Sequence, residues 1–323
     1  MRETILALVI SLSVIIIIAI MAGQSKVRIL QRRKLSTNIF NVCCYTLVSV
    51  TAFVCLLPFM FLVSGSFTDE SVIRIQGYSI FPVGFNLEAY KMVFQYPERI
   101  ARGYMNSIFI TAVGTVTGLF MISMTAYVLS RKTFKYRNPI AFFFFFTTLF
   151  NGGMISTYIF FIRYLQLKNN YLAMILPLMF NIFFLLIMRS FVRSIPDALI
   201  ESAKIDGAGE FMIFIRIILP LMPAGLATIG LFMALGYWND WYNAMLYIND
   251  QKMFPLQYML YDTLMRGQAF ARIASMVGIR VENLPTFSLR LAMAVVSTGP
   301  IILAYPFVQR FFIKGITIGS VKG

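Results

Sequence analysis

The chain has 323 residues, is 59% hydrophobic, and carries a formal net charge of +15, from 28 Lys and Arg against 13 Asp and Glu. That apolar share exceeds the ordinary globular level of about 45–50% and places the chain among polytopic α-helical membrane proteins. No basic, aromatic-interleaved soluble segment is present to hold nucleic acid. The absence of histidine excludes the Ser-His-Asp triad, the Cys-His pair and the usual zinc sites.

Several apolar runs approach or exceed the ~20 residues that cross a bilayer as a helix, and in lipid a helix satisfies its own backbone. The first predicted span covers residues 4–22 and is followed by Lys26, Arg28, Arg32, Arg33 and Lys34. It reads as an extra N-terminal anchor, because the sequence after Ala22 only weakly resembles a signal-peptide cleavage site. The second covers 39–64 and holds Cys43, Cys44 and Cys55. These are expected to act as buried small hydrophobes, since none forms a CxxC pair. A hydrophilic stretch, 65–103, reads as an external loop. The third span, 104–130, ends on Arg131, Lys132, Lys135 and Arg137. Pro139 opens the fourth, which the triplet Asn151-Gly152-Gly153 interrupts before it resumes through Phe161. Such an interruption fits either a cavity lining or a kink packed on a neighbour. The fifth runs over 171–190, with Pro177 and Asn181 inside it, the sixth over 219–237, and the seventh over 291–312. A polar stretch, 238–290, separates the last two.

Short loops rich in Lys and Arg face the cytoplasm. Placing the loop after the fifth span inside gives the basic clusters at 26–34, 131–137, 189–216 and 310–322 to one side and most of the acids to the other. The C-terminus is then cytoplasmic.

Residues 194–220 form the most informative loop. Ser194-Ile195-Pro196-Asp197 reads as a helix start with Ser194 as cap. Ile195, Leu199 and Ala203 recur every four residues as an apolar stripe. Gly207 and Gly209 permit the left-handed or tight backbone that ends a helix. A second short amphiphile, 210–218, leads into Pro220. Composition alone fits two arrangements equally: a knob projecting into water toward a partner, or a loop lying on headgroups. Acids beside anionic lipid weigh mildly against the second.

The order Glu201-Ser202-Ala203, then Asp206-Gly207, then Ile217-Ile218-Leu219-Pro220 closely resembles the loop of binding-protein-dependent ABC importer permeases. Ser202 replaces the usual Ala. Ile195-Pro196, Tyr78-Ser79 before Phe81-Pro82, Asn86 to Tyr90, Asn106-Ser107 and Trp238-Asn239-Asp240-Trp241 resemble the carbohydrate-uptake branch, of the maltose-permease smaller-subunit kind. The likeness covers about residues 39–323. It implies an all-α, six-span type I permease core at 39–323, with residues 1–38 an added anchor and basic linker. It further implies a multi-pass protein of the bacterial cytoplasmic membrane, paired with a second, homologous permease subunit as a heterodimer. Two cytoplasmic ATPase subunits and an extracellular solute-binding protein that delivers sugar or oligosaccharide complete the implied assembly. The segment around 201–207 would be the coupling helix, and Glu201, Ser202, Ala203, Asp206, Gly207, Ile217, Leu219 and Pro220 the ATPase-coupling residues. ATP and Mg would sit on the ATPase, and this chain, which has no GxxxxGK[ST] match, would bind no cofactor and catalyse nothing.

Sugar sites combine aromatic platforms with amide and carboxylate hydrogen-bonders. Tyr237, Trp238, Asn239, Asp240 and Trp241 at the outer end of the sixth span therefore qualify as substrate-path candidates, although an interfacial aromatic belt is the simpler account of them, and the two roles are not exclusive. Asn106, Asn151 and Asn181 qualify too, against interhelix hydrogen bonding as the simpler role. An ion-coupled secondary transporter is the alternative. It usually needs an intramembrane ionisable group or an inverted repeat, and neither is evident here. A membrane-embedded enzyme is disfavoured by the missing histidines and interior carboxylates.

Overall fold

The computed structural model describes residues 33–150, 152–276 and 287–302, and every regular element among them is a helix. The chain divides into two compact units, Met1–Asn86 and Leu87–Gly323.

The first unit is built on α1 (Arg33–Ser66), apolar along Phe40–Ser66 and with Pro58 inside it. At 1.5 Å per residue it is about 50 Å long, ample for a ~30 Å hydrocarbon core. Cys43, Cys44 and Cys55 are exposed on it rather than buried. Residues 40–63 of α1 include no buried side chain, so there is no protein interior in which to place them, and hydrocarbon satisfies such a surface. A short helix follows, α2 (Glu70–Gln76), capped by Asp69, which accepts from Ser71 N at 2.9 Å. Asn86 Nδ2 donates to the same carboxylate at 3.0 Å, and Phe85 stacks on Phe67.

The second unit is organised around α4 (Pro97–Ser130), preceded by α3 (Glu88–Val93). The span predicted from residue 104 begins seven residues earlier, because Pro97 suits a first helical turn, where its missing N–H is not needed. The buried residues of α4 include Ile100, Gly103, Ser107, Ile110, Gly114, Gly118, Ile122 and Ala126. They recur at helical spacing and many are small, so neighbouring helices approach closely. A Cβ at Gly114 would lie 2.3 Å from Tyr237 Cζ, and one at Gly118 would lie 2.6 Å from the Met179 carbonyl oxygen. This is the small-xxx-small packing of membrane helices.

Three of the predicted spans are broken helices. The fourth consists of α5 (Arg137–Leu149) and α6 (Gly153–Tyr164), with the break at the predicted glycines; Asn151 lies outside the described residues. The fifth divides into α7 (Leu172–Met179) and α8 (Ile182–Arg193), bent by 53°. Asn181 caps α8 by accepting from Phe183 N and Phe184 N at 2.9 and 3.3 Å. After α9 (Asp197–Ile205), the sixth comprises α10 (Glu210–Leu221) and α11 (Pro223–Trp238), bent by 84°. That break falls at Met222-Pro223 and not at Pro220, where the second amphiphile was expected to give way to the span. A π-turn, Phe214–Ile218, precedes Pro220 and absorbs the register shift that a mid-helix proline demands. Pro223 then forces Met222 out of helical conformation.

The predicted polar stretch 238–290 is largely helical, with α12 (Tyr242–Tyr247) and α13 (Leu256–Met276). The apolar α14 (Phe287–Ile302) is the described part of the seventh span. It is tied inward by the Tyr104 hydroxyl donating to Val296 O at 2.5 Å and Trp238 Nε1 donating to Ser297 O at 3.1 Å. The first span lies outside the described residues.

Candidate functional site

Two polar constellations occupy opposite ends of α4. The C-terminal one holds α9. Ser194, expected as its cap, instead closes α8: its hydroxyl donates to Phe191 O at 2.7 Å. Pro196, in extended conformation, precedes α9 without a side-chain cap. The buried side of α9 is Ile200 and Ala203, with Ile195 before it. Leu199, placed on that stripe by four-residue spacing, faces outward at 45% exposure. The stripe follows i, i+3 from Ile200, because the helix begins only at Asp197. Gly207, at φ +80, ends the helix in a Schellman motif, with Ala208 N bonded to Ala203 O at 2.9 Å and Gly207 N to Lys204 O. Gly209, at φ −71, needs no glycine-specific backbone.

Behind α9 stands an ionic brace. Lys132 Nζ meets Asp197 Oδ2 at 2.8 Å, and Lys204 Nζ meets Glu210 Oε1 at 2.5 Å. The Tyr127 hydroxyl donates to Glu210 Oε2. The Arg131 guanidinium lies between the two carboxylates, 4.0 Å from each. Lys132 holds the Asp197 carboxyl below its usual range. Arg189 Nε, on α8, donates to Leu129 O at 3.1 Å and ties that helix to the same end of α4.

Of the residues expected here, Glu201, Ser202, Asp206, Gly207 and Pro220 are exposed, Ile217 and Leu219 are half-buried, and Ala203 is buried. The Glu201 and Asp206 carboxylates meet no cation among the described residues, so α9 presents an outward surface of Leu199, Glu201, Ser202, Ile205 and Asp206 on a braced back.

The second constellation centres on Asn106, which is 6% exposed. Its Nδ2 donates to Lys252 O and Phe254 O at 2.9 and 3.1 Å, and its Oδ1 accepts from the Tyr171 hydroxyl at 2.9 Å. Ser107 Oγ accepts from Leu256 N at 2.8 Å. Asn169 Oδ1 accepts from Asn249 N at 2.6 Å, while its N donates to Tyr247 O. Asn106 therefore fastens the segment before α13 to α4.

Nearby, the Tyr237 hydroxyl donates to Ile175 O at 2.8 Å and is buried. Tyr237 and Trp238 are thus packing residues with satisfied polar tips. Asn239 is exposed, and its Oδ1 accepts from Gln257 Nε2 at 3.4 Å. Asp240 accepts from Asn243 N and Nδ2 at 3.1 and 2.8 Å, and burial pushes its carboxyl up. Trp241 is stacked on Tyr261 at 4.2 Å, with Tyr258 beside it. Of the aromatic cluster, Trp241 keeps an open flank. Asn181 belongs to neither constellation.

Sequence reasoning overlooked Tyr127, Tyr258 and Tyr261, and treated Arg131 and Glu210 as topology and helix-start signals only. The spacing of Gly114 and Gly118 could have revealed the close helix contact. Nothing local marks a tyrosine for a carboxylate 83 residues away.

No family model matches the chain. It is 37% identical to the polygalacturonan/rhamnogalacturonan transport system permease protein YtcP of Bacillus subtilis (strain 168), over 90% of this chain and 100% of that one. It is 41% identical to Protein LplC of the same organism, over 88% and 96%. Among solved structures it resembles a bacterial ABC transporter involved in the import of the acidic polysaccharide alginate, with a TM-score of 0.72, 29% identity, and coverage of 88% of this chain and 100% of that one.

Proposed function

The chain belongs to the permease subunits of ABC importers for sugars and oligosaccharides, and from that premise we propose that it carries a sugar or oligosaccharide into a bacterial cell by alternating access, driven by α9. In this reading α9 is the coupling helix, seated on a cytoplasmic ATPase. Closure of two ATPase subunits around ATP and Mg, which they bind and this chain does not, moves it. A homologous second permease completes the path, and an extracellular binding protein delivers the cargo. Residues 39–323 form the permease domain, with the coupling loop at 194–220 and the C-terminus in the cytoplasm. Residues 1–38 add an anchor.

The observation that carries the reading is the α9 arrangement. Its outward face bears carboxylates without a cation among the described residues, on a helix braced from behind by Lys132, Lys204 and Tyr127. Basic groups of a partner can pair with Glu201 and Asp206, and the brace keeps the helix from yielding when pushed. Trp241, stacked on Tyr261, and the exposed amide pair of Asn239 and Gln257 support a sugar-facing role at the other end. An ion-coupled secondary transporter is not favoured, given the relatives' names.

The test is co-purification followed by uptake. The tagged chain is expected to bring an ATPase with it, and Glu201→Lys to abolish uptake while the protein remains in the membrane. Purification without an ATPase, together with unaltered uptake in the variant, rejects the reading.

A further inference from the structure

We propose that Tyr127, Arg131 and Glu210 are positioning residues that latch α9 to α4, so that displacement of the coupling helix reaches the opposite end of α4. The inference rests on the reading of α9 as the coupling helix. Two independent observations carry it.

The first is mechanical. Within the second unit, α4 is the one helix among the described residues that is by itself long and apolar enough to cross a membrane, whereas three other spans are helix pairs divided by a bend. A continuous helix transmits a push along its axis, and a broken one yields at the break. From Tyr127 back to Asn106 is about 32 Å of uninterrupted helix, and Asn106 holds the segment before α13 and the Tyr171 hydroxyl. A displacement applied near residue 127 therefore arrives at the constellation that fixes the far end.

The second is the state of Arg131. Its side chain is 13% exposed, and Nε is buried without a hydrogen-bond partner. The guanidinium packs over the Tyr127 ring, with Cζ 5.9 Å from the centroid. It lies 4.0 Å from Asp197 at the start of α9 and 4.0 Å from Glu210 at the start of α10. Charge-assisted hydrogen bonds form at about 2.7–2.9 Å, so a shift of roughly 1 Å would close either contact. The remaining groups around it are already committed: Lys132 to Asp197, and Lys204 and the Tyr127 hydroxyl to Glu210. Among the described residues of the brace, Arg131 is the one with a buried donor, Nε, that no acceptor meets. It is placed to tighten on the two segments that flank the Gly207 turn when they move, which is how small shifts become discrete rearrangements.

The test uses the complex with its co-purified ATPase, in a chain whose Cys43, Cys44 and Cys55 are replaced by serine. Spin labels at Ser202→Cys on α9 and Val116→Cys on α4 report the separation of the two helices, before and after trapping with ATP and vanadate. With the latch intact, the distance distribution is expected to stay narrow in both states. Arg131→Gln and Glu210→Gln are expected to broaden it at least about twofold in the trapped state only. Tyr127→Phe, which removes a single hydroxyl and serves if the charge variants fail to assemble, is expected to do the same to a smaller extent. Distributions as narrow as the parent's in the assembled variants overturn the latch. A separate label pair, Ser202→Cys against the ATPase surface, distinguishes the failures. Proximity there with no broadening rejects the latch alone, and absence of proximity rejects the coupling reading beneath it.

Discussion

Replacing Gly118 by alanine tests how closely α4 is packed. The added Cβ would lie 2.3 Å from Met233 Cε and 2.6 Å from the Met179 carbonyl oxygen. The methionine methyl can swing aside, but the carbonyl belongs to the last turn of α7 and moves only with the backbone. Relief therefore requires α7 to retreat by several tenths of an ångström, and overpacking of this kind costs about 1–3 kcal/mol. Alanine returns about 0.5–1 kcal/mol through its better helix propensity, which leaves a net loss of about 0–2.5 kcal/mol against the parent and about 1–3 kcal/mol against an alanine placed in open space. For a chain of 323 residues each kcal/mol lowers Tm by roughly 1.5 °C. Gly236→Ala on α11 is the control, since nothing lies within 4 Å of its Cβ position. It is expected to match or exceed the parent. Thermal unfolding of detergent-purified protein, followed by size-exclusion chromatography, measures both. If Gly118→Ala proves as stable as Gly236→Ala, the close contact of α4 with α7 is wrong.

Further consequences concern the loop and the far end of α4. Gly207→Ala places a side chain at φ +80 and is expected to cost about 1 kcal/mol, with faster proteolysis at residues 205–209, whereas Gly209→Ala at φ −71 should be neutral. Asn106→Leu leaves the Lys252 and Phe254 carbonyls without their donor and is expected to destabilise by about 2 kcal/mol or more, with faster hydrogen exchange over 250–256. Asp197 titrates below its ordinary range because Lys132 holds it. Its contribution is complete above about pH 4 and is lost as pH falls through the lower folded value. Proteolysis of the 194–220 loop should therefore accelerate only in that acid window, and Lys132→Gln should remove the difference.

The spans were legible because lipid imposes a length and a composition that a window of residues reveals. Residues 39–64, 104–130 and the segments on either side of Gly152 all reappear as apolar helices. The breaks were less legible, because a proline states that a helix is disturbed but not where the chain relieves it. Pro220 is absorbed by a neighbouring π-turn, while Pro223, three residues on, makes the bend. The α9 loop was readable in outline from its glycine and its flanking prolines. Which side of it faces inward was not, since that depended on a start at Asp197 that no capping side chain marks. The brace behind α9 was invisible to local reading. Its members come from α4 and the two residues after it, from α9 and from α10, and only the folded chain brings Tyr127, Arg131, Asp197 and Glu210 together. Trp238 illustrates the reverse difficulty: a residue type suited to sugar turned out to be a buried packing group donating to Ser297 O.

The central claim, that motion enters this chain through α9 from the cytoplasm, is tested most directly by cross-linking. A thiol at Ser202→Cys, in a chain otherwise free of cysteine, is expected to resist membrane-impermeant maleimide in intact cells, to react in inside-out vesicles, and to cross-link to the ATPase there. Labelling from outside in intact cells, or reaction in vesicles with no ATPase cross-link under any nucleotide condition, would contradict it.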